Sequence, residues 1–420
     1  MDIRVFLIIL AETLLALFLL YRSGAFKTVP RLLMSVVLVV IAFSIRAAVL
    51  EYRTLDYINF LSQWVEYFRS SGGFSALRNS IGNYNIPYLY FLALFSYSSV
   101  PDLYLIKLLS CLFDVLLAWS ALLLSRKCGA GKPRQLAAFF AVLLLPTVIL
   151  NSALWAQCDS IYVSLALLGI YCALDDRPWL SVSLIALSFG FKLQAVFMIP
   201  VYAILLFAKR IKPVHLLAFP VVYIILVLPA VIAGRPFKDA ILLYVSQASS
   251  VGSAMNYNSP SLTAILNTIT EEYSGAFIVA AFLGMLVVLI IAFIFRRRLA
   301  EDNFSFLVLS LILITLIPFL LPHMHDRYFF GADVLSIIAA VCALELIPAA
   351  VLVQFGSLLC YIAYLRTYYM RLGRVYLTNR TGAYAVLIAI VMWVAWLCFM
   401  AAQKNSLRSK KSVDNSKYIL

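Results

Sequence analysis

The polar residues of this chain form islands between long apolar runs, and some islands carry side chains able to do acid–base or anion chemistry. The densest is Pro322-His323-Met324-His325-Asp326-Arg327-Tyr328, which holds two of the three histidines. Histidines at i and i+2 do not share a helical face and no third ligand stands nearby, so a zinc reading is weak. His325 and Arg327 are better suited to donate to a phosphate, with Asp326 orienting them. A solvated loop is the plain alternative.

Three further groups stand out. Asp56, in EYRTLDYINFLSQWVEYFRSSGGF, opens a helix-like segment, where its carboxylate can cap free backbone amides. Asp159, in Trp155-Ala156-Gln157-Cys158-Asp159-Ser160, stands where an apolar helix begins. Capping explains it, but a carboxylate at membrane depth is costly unless hydrated, paired or used. Lys192 lies within an apolar stretch, too deep to snorkel easily, and calls for an ion pair with Asp159 or Asp56, or for a lipid phosphate. Gln194 beside it could bond a sugar or cap the turn.

These residues are positioned by a membrane bundle. Of the 420 residues 64% are hydrophobic and 12% charged, against roughly 25% charged in a soluble domain, which excludes an ordinary soluble protein. Hydropathy predicts an all-α polytopic membrane protein of about 13 crossings, beginning with a retained helix at Val5 to Tyr21 rather than a signal peptide. A short partial insertion is expected at Pro87 to Ser98, and a helical hairpin at Leu180 to Ala208 with its tip at Phe191 to Gln194. Leu55, Ile58, Phe60, Leu61, Val65 and Phe68 predict an interfacial helix in the first long outer loop.

The net charge of +14 is gathered in short clusters between apolar runs, which fits positive-inside bias and excludes a nucleic-acid partner. Arg22/Lys27/Arg31, Arg126/Lys127/Lys132/Arg134, Lys209/Arg210/Lys212, Arg296 to Arg298 and the tail Lys404 to Lys411 fall on one side if the crossings alternate. That side is expected to be cytoplasmic, with the polar islands outside. Arg366, Arg371 and Arg374 break the rule and call for an anionic partner or a different count. The seven scattered cysteines suggest packing, not metal or disulfides. Residues 1–403 read as one membrane domain and 404–420 as a basic cytoplasmic tail.

Together, the acidic first loop, GNYNIPYLY from Gly82, LWAQCDS from Leu154, FKLQA from Phe191, NYNSPSL from Asn256 and HMHDRYFFGADVLS from His323 carry a family likeness. The chain resembles the GT-C membrane glycosyltransferases, particularly bacterial GPI-mannosyltransferase-like proteins and dolichyl-phosphate-glucose glucosyltransferases. The resemblance implies a GT-C-like bundle, a polyprenyl-phosphate sugar donor, a glycan or glycolipid acceptor, and an extracytoplasmic site in a plasma membrane, with a lean toward bacteria. It implies inversion of a mannose- or glucose-type hexose, with Asp56 as the base. His325 and Arg327, then Lys192, and further off Arg366 or Arg371, would meet the donor phosphate. Asp159, Gln194, Trp155, Asp326, Tyr328 and Asn258 would position sugar or acceptor. Two departures matter. Asp56 is followed by Tyr57 rather than a second acid, which argues against a divalent metal, and no cofactor is expected. Asp326 stands where relatives commonly carry glutamate. A flippase of lipid-linked saccharides and a membrane glycan polymerase or ligase are the rival readings, though the one-sided polar islands and lack of an apparent repeat speak against transport.

Overall fold

The computed structural model describes residues 2–249, 252–268 and 270–417, without the side chains of 246, 248, 249 and 404–417. Eight helices among these residues are long and apolar enough to cross a bilayer: Ile3–Arg22, Val29–Val49, Asp102–Lys127, Pro213–Ile232, Glu271–Ile294, Asn303–Leu320, Leu344–Arg366 and Asn379–Gln403. Lys132–Leu143 and Pro146–Leu154 together make a ninth, bent by 41°. Pro146 supplies the bend, because it donates no amide and disfavours helical backbone at Leu145, which is extended at φ −62°, ψ 125°.

The remaining crossings of the expected thirteen are the shorter helices Asp159–Leu174, Pro178–Phe191, Leu193–Phe207 and Phe330–Cys342, of 10–17 residues. Length gives eight or nine spans, because a full crossing takes about 20 residues. Asp159–Leu174 is buried almost throughout, so its surroundings are protein rather than lipid. The expected partial insertion is the 10-residue helix Ile86–Phe95. The predicted hairpin turns at Lys192, whose extended backbone ends the helix Pro178–Phe191.

The first-loop helix differs from expectation. Residues 57–70 are helical, opening with a π-helical turn, Tyr57–Leu61, before Ser62–Ser70. Leu61, Val65 and Phe68 face inward and pack with Leu89, Leu92 and Ile106 in a second hydrophobic core. Leu55, Ile58 and Phe60 alone of that predicted face stay exposed. Three buried side chains contribute about 1.5–3 kcal/mol each, which fixes the helix to the bundle.

The basic loops meet at one end of the bundle. Lys132 donates to the Ser23 carbonyl, Arg210 to the Ala300 carbonyl at 2.7 Å, and Asn303 to the Lys127 carbonyl at 2.9 Å. The side chains of the tail cluster Lys404 to Lys411 lie outside the described residues. At mid-bundle, Arg46 pairs with Asp114 at 2.9 Å and donates to the Leu143 and Ala42 carbonyls, while Ser152 and Ser160 donate to the carboxylate. The last two spans touch at backbone distance: a Cβ on Gly356 would stand 2.9 Å from the Gly382 carbonyl oxygen, a close approach that only small residues permit.

Candidate active site

At the end opposite the basic loops, the polar islands converge. Asn256–Tyr257 pairs in parallel with Met324–His325, in the register Asn256 to Met324 and Tyr257 to His325. The Thr54 hydroxyl donates to the Trp155 carbonyl at 3.0 Å, Tyr84 to Gln157 Oε1 at 3.0 Å, and Asn258 Nδ2 to the Cys360 carbonyl at 2.8 Å. Six chain segments thereby surround a cavity of about 720 Å³ that contains Asp56, Gln157, Asn258, His325, Asp326 and Arg327 in its lining.

Asp56 precedes the π-helical turn, yet its side chain caps nothing. Its Oδ2 accepts from Trp155 Nε1 at 2.9 Å and Gln157 Nε2 at 2.7 Å, and its Oδ1 from the Tyr364 hydroxyl at 2.8 Å. A carboxylate accepts about four hydrogen bonds, so three neutral donors orient it and leave capacity on Oδ1. Such a group can receive a proton from a bound hydroxyl.

Trp155 links this carboxylate to the cationic part of the cavity. Fully buried, it stacks on Tyr364 at 4.1 Å and 16° between planes, and the Arg327 guanidinium lies 5.4 Å from its ring centroid. A cation over an indole face gains about 0.5–2 kcal/mol, which holds Arg327 without neutralising it. Arg327 stands 3.8 Å from Asp159 and 3.5 Å from Asp326, beyond good hydrogen-bonding range for charged groups. Its Nε and Asp326 Oδ1 are buried without hydrogen-bond partners among the described residues.

Electrostatics separate the neighbours in this loop. Burial raises the Asp326 carboxyl to about 7, with Arg327 opposing and Asp56 and Asp159 adding to the rise. Burial lowers the His325 imidazole to about 4, with Arg327 and Lys192 adding to the fall and Asp56 opposing. With that value His325 is a neutral ring near pH 7, and it stacks on Tyr257 at 4.5 Å. It can still donate one hydrogen bond.

Lys192 has the bland partner foreseen for it: an ion pair with Asp159 Oδ1 at 2.6 Å. Asp159 opens its helix without capping it and also accepts from Asn151 at 2.7 Å. Lys192, Gln194 and Tyr328 line an adjoining cavity of about 430 Å³, whose wall shares Asn83, Tyr84, His325 and Arg327 with the first. Asn258, at φ +62°, accepts from Tyr369 and lines the main cavity. Arg366 and Arg371 are exposed and outside the lining of either cavity, although Thr367, Tyr368 and Tyr369 line the first.

Tyr364, Gln157, Tyr84 and Tyr257 were not foreseen as site residues. Gln157 had a signal, since it lies between Trp155 and Asp159 in a short polar loop. Tyr364 had none, because it reaches Asp56 from the far end of an apolar helix. Among the described residues no three His, Cys, Asp or Glu side chains gather as metal ligands.

The model of glycosyltransferase family 87 matches residues 83–322. No curated protein matches the chain. The matched segment includes Tyr84, Gln157, Asp159, Lys192 and Asn258, whereas Asp56 and His323 to Tyr328 flank it, so their place in the site rests on the geometry above. Since the match spans more than half of the sequence, this integral membrane chain belongs to glycosyltransferase family 87.

Proposed function

We propose that the protein transfers a mannose- or glucose-type hexose, with inversion, from a polyprenyl monophosphate to an extracytoplasmic glycan or lipid-linked acceptor. The observation that carries this reading is the pairing, in one cavity, of a carboxylate held by three neutral donors with a guanidinium whose own counter-ions stand off. In the step proposed, the acceptor hydroxyl oxygen bonds to the anomeric carbon while the bond from that carbon to the phosphate oxygen breaks. The hydroxyl proton passes to Asp56, and the electron pair leaves with the phosphate. Arg327, with neutral His325, stabilises the charge the phosphate gains. Lys192, paired with Asp159, lines the adjoining cavity, and Gln194, Asn258, Trp155 and Tyr328 shape the surroundings of sugar and acceptor.

A single oriented carboxylate suits one displacement, and hence inversion. The basic ends of the bundle support a cytoplasmic side opposite the cavity, with the 404–420 tail on that side. A bacterial plasma membrane accommodates this arrangement, and residues 1–403 act as one domain.

The test is a donor panel. Purified protein in liposomes receives labelled polyprenyl-phosphate mannose, polyprenyl-phosphate glucose, a nucleotide sugar or a lipid-pyrophosphate glycan, and products are assigned by mass and anomeric configuration. The proposal expects transfer from a lipid monophosphate hexose with inverted configuration. Transfer confined to the nucleotide sugar or to the pyrophosphate glycan would overturn it.

A further inference from the structure

The three arginines that break the positive-inside pattern sit on or beside a β-hairpin that projects from the bundle. Met370–Leu372 pairs antiparallel with Val375–Leu377, and Gly373 at φ +60° forms part of the turn. The register opposes Met370 to Leu377, Arg371 to Tyr376, and Leu372 to Val375. Side chains alternate across a strand, so Met370, Leu372, Val375 and Leu377 share one face and Arg371 and Tyr376 the other. The apolar face is bare: Met370 is 41% exposed, Leu372 71% and Val375 62%. On the opposite face Arg371 lies 5.3 Å from the Tyr376 ring centroid.

An isolated two-stranded hairpin is marginal in water and needs a surface to pack against. Two observations identify that surface. The hairpin joins the span ending at Arg366 to the span beginning at Asn379, so residues 367–378 are tethered at both ends to membrane-crossing helices. Arg366, Arg371, Arg374 and Arg380 also fall in a stretch with no acid, and none has an ion-pair partner among the described residues. Aromatic side chains with polar tips, here Tyr368 and Tyr376, favour the same depth.

We infer that the hairpin is an anchor seated on anionic phospholipid headgroups of the leaflet nearest the cavity. Its apolar face enters the interface, and Arg366, Arg371 and Arg374 meet lipid phosphates. Its base is the cavity rim: Tyr369 donates to Asn258, and Thr367 to Tyr369 line the cavity. Seating the hairpin therefore fixes one wall of the site. This role needs only a membrane-embedded chain and stands apart from the donor assigned above.

The test places a nitroxide at Leu372→Cys in full-length protein carrying Cys398→Ser, reconstituted in phosphatidylcholine alone or with about one third phosphatidylglycerol. Oxygen should reach the label better than a water-soluble nickel chelate, and the membrane-seated spectral component should grow with phosphatidylglycerol. In Arg371→Gln/Arg374→Gln the seated-to-free ratio should fall roughly five-fold per arginine removed. A label fully accessible to the chelate in both lipids would overturn the inference, as would a label equally shielded in lipid-free detergent. A response to added polyprenyl phosphate but not to phosphatidylglycerol would assign the arginines to the donor and overturn it too.

Discussion

Arg46 with Asp114, and Arg327 with Asp159 and Asp326, are two buried charge clusters in one bundle, and they are built on different terms. Arg46 donates to one carboxylate oxygen at 2.9 and 3.0 Å and to two backbone carbonyls, while both oxygens of Asp114 also accept from serines. Arg327 has carboxylates at 3.5 and 3.8 Å, an indole face at 5.4 Å, and a buried Nε without an acceptor. Burying a charge costs several kcal/mol unless partners satisfy it. The first cluster meets that cost internally and holds helices together. The second leaves part of it unmet beside a cavity, where an incoming phosphate would supply the missing acceptors.

The contrast breaks most visibly at Asp114. Asp114→Ala strands a buried guanidinium and should cost about 3–5 kcal/mol of stability, read as a fall in the unfolding midpoint in detergent. Arg327→Gln should act the other way round. Transfer falls about 10²–10³-fold through lost stabilisation of the leaving phosphate, while the unfolding midpoint moves less than in Asp114→Ala. Asp159 keeps Lys192 and Asn151, and Asp326, whose carboxyl burial already raises to about 7, can take up a proton when Arg327 is gone. Equal destabilisation by both variants would erase the distinction.

A smaller effect is expected at Tyr364. Tyr364→Phe removes one of three donors to Asp56 and should lower the transfer rate about ten-fold, with Trp155 and Gln157 still in place.

The remaining effect is a pH dependence. Between about 4 and about 7 the folded protein holds a proton at Asp326 that the unfolded chain has lost, so stability falls as pH rises through that window. His325 acts oppositely between about 4 and 6.5, where the unfolded chain holds the proton and stability rises with pH. Asp326→Asn removes the first contribution. Its unfolding midpoint should climb with pH over this range more steeply than that of the wild-type protein, and parallel profiles would remove Asp326 from the account.

The membrane class and the clustering of the polar islands were legible because apolar run length and cation clusters report on the chain's own segments. Span number was less so, since Asp159–Leu174 and Phe330–Cys342 are as apolar as the longer helices but fall short of the length that a full crossing takes. The first-loop helix was legible as amphipathic, yet Leu61, Val65 and Phe68 found protein where the pattern alone equally allowed lipid. Asp56, Asp159, Lys192 and Arg327 could be named because an isolated charge in an apolar setting demands a partner. Which partner it takes was set by contacts across the fold. Tyr364 lies 308 positions from Asp56, and Arg46 lies 68 from Asp114, so neither pairing leaves a trace in local spacing.

The central claim is that Asp56 moves a proton while the cationic part of the cavity holds the donor. It is tested most directly by measuring donor binding and single-turnover transfer on the same preparation of Asp56→Asn. The amide keeps the size of the side chain but is a far weaker base. The account predicts wild-type affinity for the polyprenyl-phosphate hexose, with transfer reduced about 10²–10⁴-fold. Transfer at the wild-type rate, or a loss explained by failure to bind the donor, would contradict it.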